Sequence, residues 1–201
     1  MIISHKYKFV FIKTFKTAGT SLEGYLSKFC GEEDVVTEIF PALPDHRPRN
    51  VGPFYNHMPA VEVKHRVGDA MWHSYYKFCI ERNPWDKVLS YYWMERCRNG
   101  GVLDLDEFLT RDQIGINWPL YTDETLEDPI VDRILRYEQL GEGLATLFNE
   151  LSIPWTGLLG HRAKGEYRQD RRHYRDVLTR AQADKIANRF AKEIEWHGYQ
   201  Y

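Results

Sequence analysis

The sequence predicts a three-layer α/β domain built on a mainly parallel central sheet. Short apolar runs rich in β-forming residues alternate along the chain with stretches in which apolar residues recur at helical spacing. Strands that alternate with helices are typical of a parallel sheet. The chain has 201 residues, of which 43% are hydrophobic, and this suits one compact core. We therefore expect a single domain over residues 1–201.

The first strand and helix are predicted near the start of the chain. The run YKFVFI, from Tyr7 to Ile12, has the composition of a strand covered on both faces. Apolar residues then follow at i, i+3, i+4 and i+7, which is one face of a helix: Leu22, Tyr25, Leu26 and Phe29. The segment KTAGTS, from Lys16 to Ser21, should therefore join a strand to a helix.

The second unit follows a proline-rich stretch. Residues Gly31 to Pro59 should be mostly irregular, apart from one candidate strand at Val35 to Phe40. The run YKFCI, from Tyr76 to Ile80, predicts the second strand. The next helix should begin with Asn83 as its N-cap and Pro84 in its first turn.

The third and fourth units complete the domain. Ile134 and Leu135 predict a strand, and the helical stretch after it ends near Leu151. Thr179 and Gln182 have the spacing of a capping box, so we expect the last helix to begin there.

The composition excludes several classes of protein. Lys and Arg number 27 and Asp and Glu 29, and a net charge of −2 gives no global attraction to nucleic acid or to a membrane surface. The three cysteines have neither zinc-site nor disulfide-framework spacing. No apolar run approaches the roughly 20 residues that cross a bilayer. We expect a cytoplasmic protein with no metal site, and the sequence leaves its oligomeric state open.

The segment KTAGTS has the residue types of an anion-binding loop. A loop between a strand and a helix directs backbone N–H groups and the positive end of the helix dipole at one point. Gly19 permits close approach, Lys16 supplies a positive charge, and Thr17, Thr20 and Ser21 supply hydroxyl groups. The lysine precedes the glycine, so the Walker pattern is absent and a P-loop nucleotide kinase is the weaker alternative. The other alternative is an ordinary turn in which Thr20 or Ser21 caps the helix.

A second motif makes the function more specific. The segments KTAGTS and RNPWDKVLS, the latter from Arg82 to Ser90, together resemble the two signatures of the PAPS-dependent sulfotransferases. The likeness is to the branch with the carbohydrate and heparan sulfate 2-O-sulfotransferases. The resemblance implies a P-loop NTPase-like fold, with 3′-phosphoadenosine 5′-phosphosulfate (PAPS) as sulfuryl donor and 3′-phosphoadenosine 5′-phosphate (PAP) as product. It implies a hydroxyl acceptor, most simply a saccharide, and no metal.

The resemblance assigns roles to residues of both motifs. The residues that would cradle the 5′-phosphosulfate are Lys16, Thr17, Gly19, Thr20 and Ser21. Arg82 and Ser90 would bind the 3′-phosphate, unless Arg82 is instead paired with Asp86 or Glu81. We also expect Glu81 to place a carboxylate near Arg82 and weaken its hold on that phosphate.

Two further segments resemble the same family. Tyr137, in RYEQL, matches a position near the adenine. Arg162, Lys164 and Gly165 match a loop that folds over the nucleotide phosphates. Both assignments are implied by the resemblance alone.

Catalysis needs a cation on the bridging oxygen and a base for the hydroxyl proton. The resemblance implies Lys16 as the cation. His57 matches the second histidine of a His-x-His segment and is the predicted base, because an imidazole pKa near 6.5 suits proton transfer at neutral pH. Glu62 is the alternative base. Trp72, Trp118 and Trp155 either stack on sugar rings or, as is usual for aromatic residues, belong to the core. A non-catalytic module that binds PAPS or a polyanion is the remaining alternative. Since no membrane anchor is evident, we expect a bacterial or viral host.

Overall fold

The computed structural model describes residues 1–40, 42–112, 114–160 and 166–201. It is an α/β structure around a five-stranded sheet in the order β3-β1-β2-β4-β5. The strands are β1 (Ile2–Ser4), β2 (Phe9–Phe11), β3 (Val35–Val36), β4 (Tyr76–Glu81) and β5 (Arg133–Arg136). Strands β2, β4 and β5 are parallel, whereas β1 is antiparallel to both of its neighbours. The sheet is therefore mixed. The prediction of a mainly parallel sheet is wrong for the half formed by β3, β1 and β2, which is antiparallel.

The antiparallel half begins with a hairpin that the sequence pattern does not reveal. Strand β1 pairs with β2 in the register Ile2↔Phe11. The Asp34 carboxylate closes the turn, since it accepts hydrogen bonds from the backbone N–H of His5 and from the Ser4 hydroxyl. Strand β1 is only three residues long, so its apolar run is too short to stand out as a strand.

The helices follow the predicted units, with additions in the connecting segments. They are α1 (Gly19–Leu26), α2 (Ala60–Val67), α3 (Asp69–Ser74), α4 (Pro84–Arg98), α5 (Leu105–Leu109), α6 (Trp118–Tyr121), α7 (Leu140–Glu150), α8 (Tyr174–Val177), α9 (Arg180–Arg189) and α10 (Ala191–His197). A 3₁₀ turn at Tyr137–Gln139 joins β5 to α7. Within the described residues, no helix combines the length and apolar character needed to cross a bilayer.

The predicted helix starts are confirmed. The Asn83 side chain accepts hydrogen bonds from the first turn of α4, and Pro84 opens that helix. Thr179 and Gln182 form the capping box of α9. The last predicted helix is interrupted, however. Phe190 leaves helical geometry and packs fully buried, so a new helix begins at Ala191.

Helices cover both faces of the sheet. Alternate strand residues, such as Phe9 and Phe78, pack on one face against α1 and α7. Their neighbours, such as Val10 and Cys79, pack on the other face against α2, α3 and α6. Trp72 and Trp118 belong to this second core and are almost fully buried, which confirms the core alternative for both and excludes stacking on sugar rings.

Parallel pairing sets the position of the candidate site. The carboxyl ends of β2, β4 and β5 meet at one edge of the sheet, where open α/β sheets bind ligands. The chain leaves these strands at Ile12, Arg82 and Tyr137 respectively.

Candidate functional site

A cleft of about 480 Å³ lies at this edge of the sheet. Nine of the residues predicted from sequence line it: Lys16, Thr17, Gly19, Thr20, Ser21, His57, Arg82, Ser90 and Tyr137. They come from segments that are far apart in the chain, so folding assembles both motifs around one cavity. Arg162, Lys164 and Gly165 lie outside the described residues.

The loop after β2 has an unusual backbone. Lys16 and Ala18 both adopt left-handed conformations, with φ of 59° and 63°. Ala18 is the N-cap of α1 and has no side-chain group that can cap the helix. Thr20 and Ser21 lie inside the helix, so the alternative in which one of them is the cap is wrong. The N-cap residue of α1 thus supplies no side-chain acceptor to the first turn, and the N-terminus of a helix favours an anion.

Threonine hydroxyls hold this loop on the sheet. The Thr14 hydroxyl donates to the carbonyl oxygen of Ile80, at the end of β4. The Thr14 and Thr17 hydroxyl oxygens are 2.8 Å apart, and Thr17 is fully buried. The Thr17 hydroxyl thus already has a partner within the loop.

A buried charge cluster lies beneath the loop. The Lys13 ammonium pairs with the Glu23 carboxylate, which also contacts the Met1 ammonium. Burial opposes ionisation of Glu23, but the two cations outweigh it and lower its pKa. Burial also lowers the pKa of Lys13. A Cβ on Gly19 would lie 2.8 Å from Cγ of Lys13, so the glycine makes room for this ion pair.

Arg82 connects the three strand ends. One of its Nη atoms donates to the carbonyl oxygen of Lys16 at 2.9 Å, and its guanidinium lies 4.1 Å from the centre of the Tyr137 ring. Its Nε donates to Asp86 at 2.8 Å. The ion pair with Asp86 that sequence left as an alternative is therefore present.

Glu81 lies next to Arg82, as expected. Its Oε1 accepts from the Arg82 backbone N–H and from Lys87 Nζ at 2.9 Å. Its Oε2 accepts from the Tyr121 hydroxyl. The carboxylate is thus engaged in a buried cluster, and a weaker hold of Arg82 on a 3′-phosphate stays a prediction.

Asp86 holds a second arginine. Its other oxygen accepts from Arg168, which belongs to the segment before α8. Burial raises the pKa of Asp86, but Arg82 and Arg168 more than offset this and lower it. Arg168 and Arg171 both line the cleft, whereas Arg172 pairs with Asp170 at 2.6 Å.

His57 lies against the loop with a defined tautomer. Its Nδ1 is 3.1 Å from the carbonyl oxygen of Lys13, and its ring stacks on Phe15 at 4.2 Å. A carbonyl only accepts hydrogen bonds, so Nδ1 is the protonated nitrogen and Nε2 carries the lone pair. Burial and the nearby Lys13 charge lower the pKa of His57 to about 3, not the value near 6.5 expected from sequence. The imidazole is therefore neutral at physiological pH.

The alternative base lies elsewhere. Glu62 is half-buried on α2 and does not line the cleft. Hydrogen bonds from Tyr55 and Arg66 lower its pKa, which disfavours a role as proton acceptor.

Several residues that line the cleft were not predicted: Phe40, Asn56, Tyr91, Met94 and Arg98. Helical spacing could have identified two of them, because Ser90, Met94 and Arg98 are four residues apart on α4. The other residues carry no local signal. No group of three or more His, Cys, Asp or Glu side chains is placed to hold a metal among the residues that the structure describes.

Comparison with known proteins identifies one relative. An uncharacterized protein of the archaeon Archaeoglobus fulgidus is 38% identical over 101 residues, which cover 48% of this chain and 84% of the relative. The chain belongs to the same family as this archaeal protein. No family model and no solved structure matches the chain.

Proposed function

We propose that the protein is a sulfotransferase that moves a sulfuryl group from PAPS to a hydroxyl group, most simply that of a saccharide. One observation carries the proposal: the Lys16 loop, Arg82 and Tyr137 follow the three parallel strands and border a single cleft. We also propose that the domain has a P-loop NTPase-like three-layer fold and that the host is bacterial or viral. Both statements stay predictions.

The residues of the cleft fit a nucleotide with phosphates at both ends. The N-terminus of α1 and the Lys16 ammonium suit the 5′-phosphosulfate. Arg82 is only 7% exposed and keeps two N–H groups beyond those that contact Asp86 and Lys16, which suits a 3′-phosphate together with Ser90. Tyr137 offers an aromatic ring for the adenine.

The proposed reaction is an in-line displacement. The acceptor oxygen forms a bond to sulfur while the bond between sulfur and the bridging phosphate oxygen breaks, and PAP leaves. His57 Nε2 takes the proton of the acceptor hydroxyl, and Lys16 stabilises the charge that develops on the bridging oxygen. Burial is the larger cause of the low pKa of His57 and the Lys13 charge the smaller one. A bound polyanion beside Lys13 offsets the second cause, so the imidazole becomes a stronger base when the donor is bound.

The test is a transfer assay without added metal, in which PAPS is incubated with a panel of neutral and anionic saccharides. Loss of the base should slow transfer by about 10² to 10⁴, so His57→Gln should lose activity while its affinity for PAP changes less than about threefold. His73→Gln is the matched control. His73 Nδ1 also contacts a backbone carbonyl, that of Asp69, but the residue lies on α3 outside the cleft lining.

Each alternative has its own outcome. PAP binding without transfer to any acceptor, and with full binding by Lys16→Ala, would favour the non-catalytic module. Phosphate transfer from Mg-ATP would favour the kinase. Equal activity of wild type and His57→Gln would exclude His57 as the base.

A further inference from the structure

A fully buried asparagine contacts the loop that follows β2. Asn117 is 0% exposed and precedes α6. Its Oδ1 accepts from the backbone N–H of Phe15 at 2.7 Å, and its Nδ2 is 3.3 Å from the carbonyl oxygen of Phe15. The amide therefore pairs with both backbone groups of one loop residue.

The same amide reaches the end of β4. Nδ2 of Asn117 also donates to Oε1 of Glu81 at 3.0 Å, the oxygen that accepts from the Arg82 backbone N–H. Both N–H groups of Nδ2 thus have acceptors, and Oδ1 faces a donor. The orientation of the amide is fixed by its partners, because an N–H must face the carbonyl and the carboxylate.

The neighbouring residues support this arrangement. The backbone N–H of Asn117 donates to Glu193 on α10 at 3.2 Å. Gly115 has a φ of 59°, and a Cβ there would lie 3.2 Å from Phe15 Cβ. The segment before α6 is therefore packed closely on Phe15 by more than one contact.

Holding Phe15 sets the geometry of the next residue. Lys16 is left-handed, and its carbonyl oxygen faces Arg82. A left-handed residue other than glycine is strained and persists where its surroundings hold it in place. The Asn117 contacts to Phe15 restrain the backbone on the N-terminal side of Lys16, and the Arg82 contact restrains its carbonyl group.

We propose that Asn117 is a positioning residue, which sets the Phe15–Lys16 backbone so that the Lys16 loop can bind the 5′-phosphate end of the ligand. The inference rests on the proposed function, because it takes this loop as the 5′-anion site. Asparagine is suited to the task because the position needs one acceptor and two donors. Aspartate would keep the acceptor but would turn an oxygen toward the Phe15 carbonyl and Glu81.

The test compares two nucleotides in Asn117→Ser and Asn117→Asp. Loss of one buried hydrogen bond corresponds to roughly tenfold in affinity, so both variants should bind PAP at least about tenfold more weakly. Binding of adenosine 3′-phosphate, which lacks the 5′ group, should change less than about threefold. A merely structural role would weaken both nucleotides together or neither.

Tyr121→Phe is the control for damage to the buried cluster. The substitution removes the hydroxyl that donates to Glu81 Oε2 at 3.1 Å. It leaves both hydrogen bonds between Asn117 and the Phe15 backbone in place. It should leave both affinities unchanged. Equal loss of PAP binding in Tyr121→Phe and Asn117→Ser would overturn the inference.

Amide hydrogen exchange keeps the inference testable if a variant folds poorly or PAP does not bind. In the wild type, the Phe15 N–H should exchange slowly. In Asn117→Ser, exchange should accelerate at Phe15 to Thr17 but not in β4. Fast exchange at Phe15 in the wild type would overturn the positioning role. Absence of PAP binding by a well-protected wild-type loop would overturn the proposed function instead.

Discussion

His57 shows how its environment changes a residue that sequence alone can identify. The motif marks the position, but the pKa follows from burial and from Lys13, which lies 44 residues earlier and whose carbonyl oxygen accepts from His57. Sequence reasoning therefore found the residue and missed its protonation. The left-handed conformation of His57, with φ of 60°, is likewise set by the fold.

The depressed pKa of His57 predicts a pH dependence of stability. Between its folded pKa of about 3 and the ordinary value of about 6.5, the unfolded chain binds more protons than the folded one. The free energy of unfolding should therefore be fully retained above about pH 6.5 and fall as the pH drops toward 3. His57→Gln should lose less stability than wild type between about pH 7 and pH 5.

Urea unfolding at several pH values measures this difference. His46 and His197, whose pKa values burial also lowers, contribute equally to both proteins and cancel in the comparison. His73→Gln should behave as wild type. Parallel stability curves for wild type and His57→Gln would contradict the account.

Asn117 and Arg168 mark the limit of prediction at this scale. Asn117 contacts Phe15, 102 residues away, and Arg168 contacts Asp86, 82 residues away. Neither residue lies in a motif or in a periodic pattern that names its partner. Only the fold brings such pairs together.

The junction of β2 with α1 is the element on which the site depends. The strand, the loop and the helix were predictable from an apolar run, a small-residue loop and helical spacing. The N-cap was not, because Ala18 occupies it in a left-handed conformation that sequence preferences disfavour. Strand β1 was missed because its apolar segment has only three residues. What defines it as a strand is its pairing with β2 and β3, which the sequence does not show.

Gly19 provides a test of this junction. A methyl group there would clash with Lys13 within its buried ion pair, and overpacking of this kind costs about 1–3 kcal/mol. Gly19→Ala should therefore lower the free energy of unfolding by about that amount. Chemical denaturation of the purified variants measures the change.

Gly141→Ala is the matched control. Gly141 is also near the start of a helix, α7, but a Cβ placed there would meet no described atom within 4 Å beyond its chain neighbours and the backbone of its own helix. That substitution should be neutral or stabilise by up to about 1 kcal/mol. Gly19→Ala with wild-type stability would show that the Lys13 side chain does not need this space.

The positive charges are unevenly distributed over the molecule. The net charge is −2, yet Lys16, Arg82, Arg98, Arg168 and Arg171 all line one cleft. The attraction for an anionic ligand is therefore local. It should weaken as salt is added, because salt screens charges beyond a distance of about 10 Å at about 0.1 M ionic strength. Composition alone could exclude a basic surface but could not locate this cluster.

Two adjacent arginines test this local field. Arg171 lines the cleft, whereas Arg172 is paired with Asp170. Arg171→Gln should weaken PAP binding by about fivefold at low salt, and Arg172→Gln by less than about twofold. Calorimetric titrations at about 50 mM and about 500 mM salt should show that the difference in PAP affinity between the two variants is smaller at the higher salt concentration. Equal effects of the two substitutions would contradict the assignment of Arg171 to the site.

The measurement that tests the central claim most directly is calorimetric titration of the wild-type protein with PAP, ADP and AMP, without metal. The account predicts that PAP binds at least about tenfold more tightly than ADP, and that Arg82→Ala removes this preference. Arg172→Ala is the control and should retain it. Equal binding of PAP and ADP, or no binding of PAP by the folded wild type, would contradict a cleft built for a 3′-phosphorylated nucleotide.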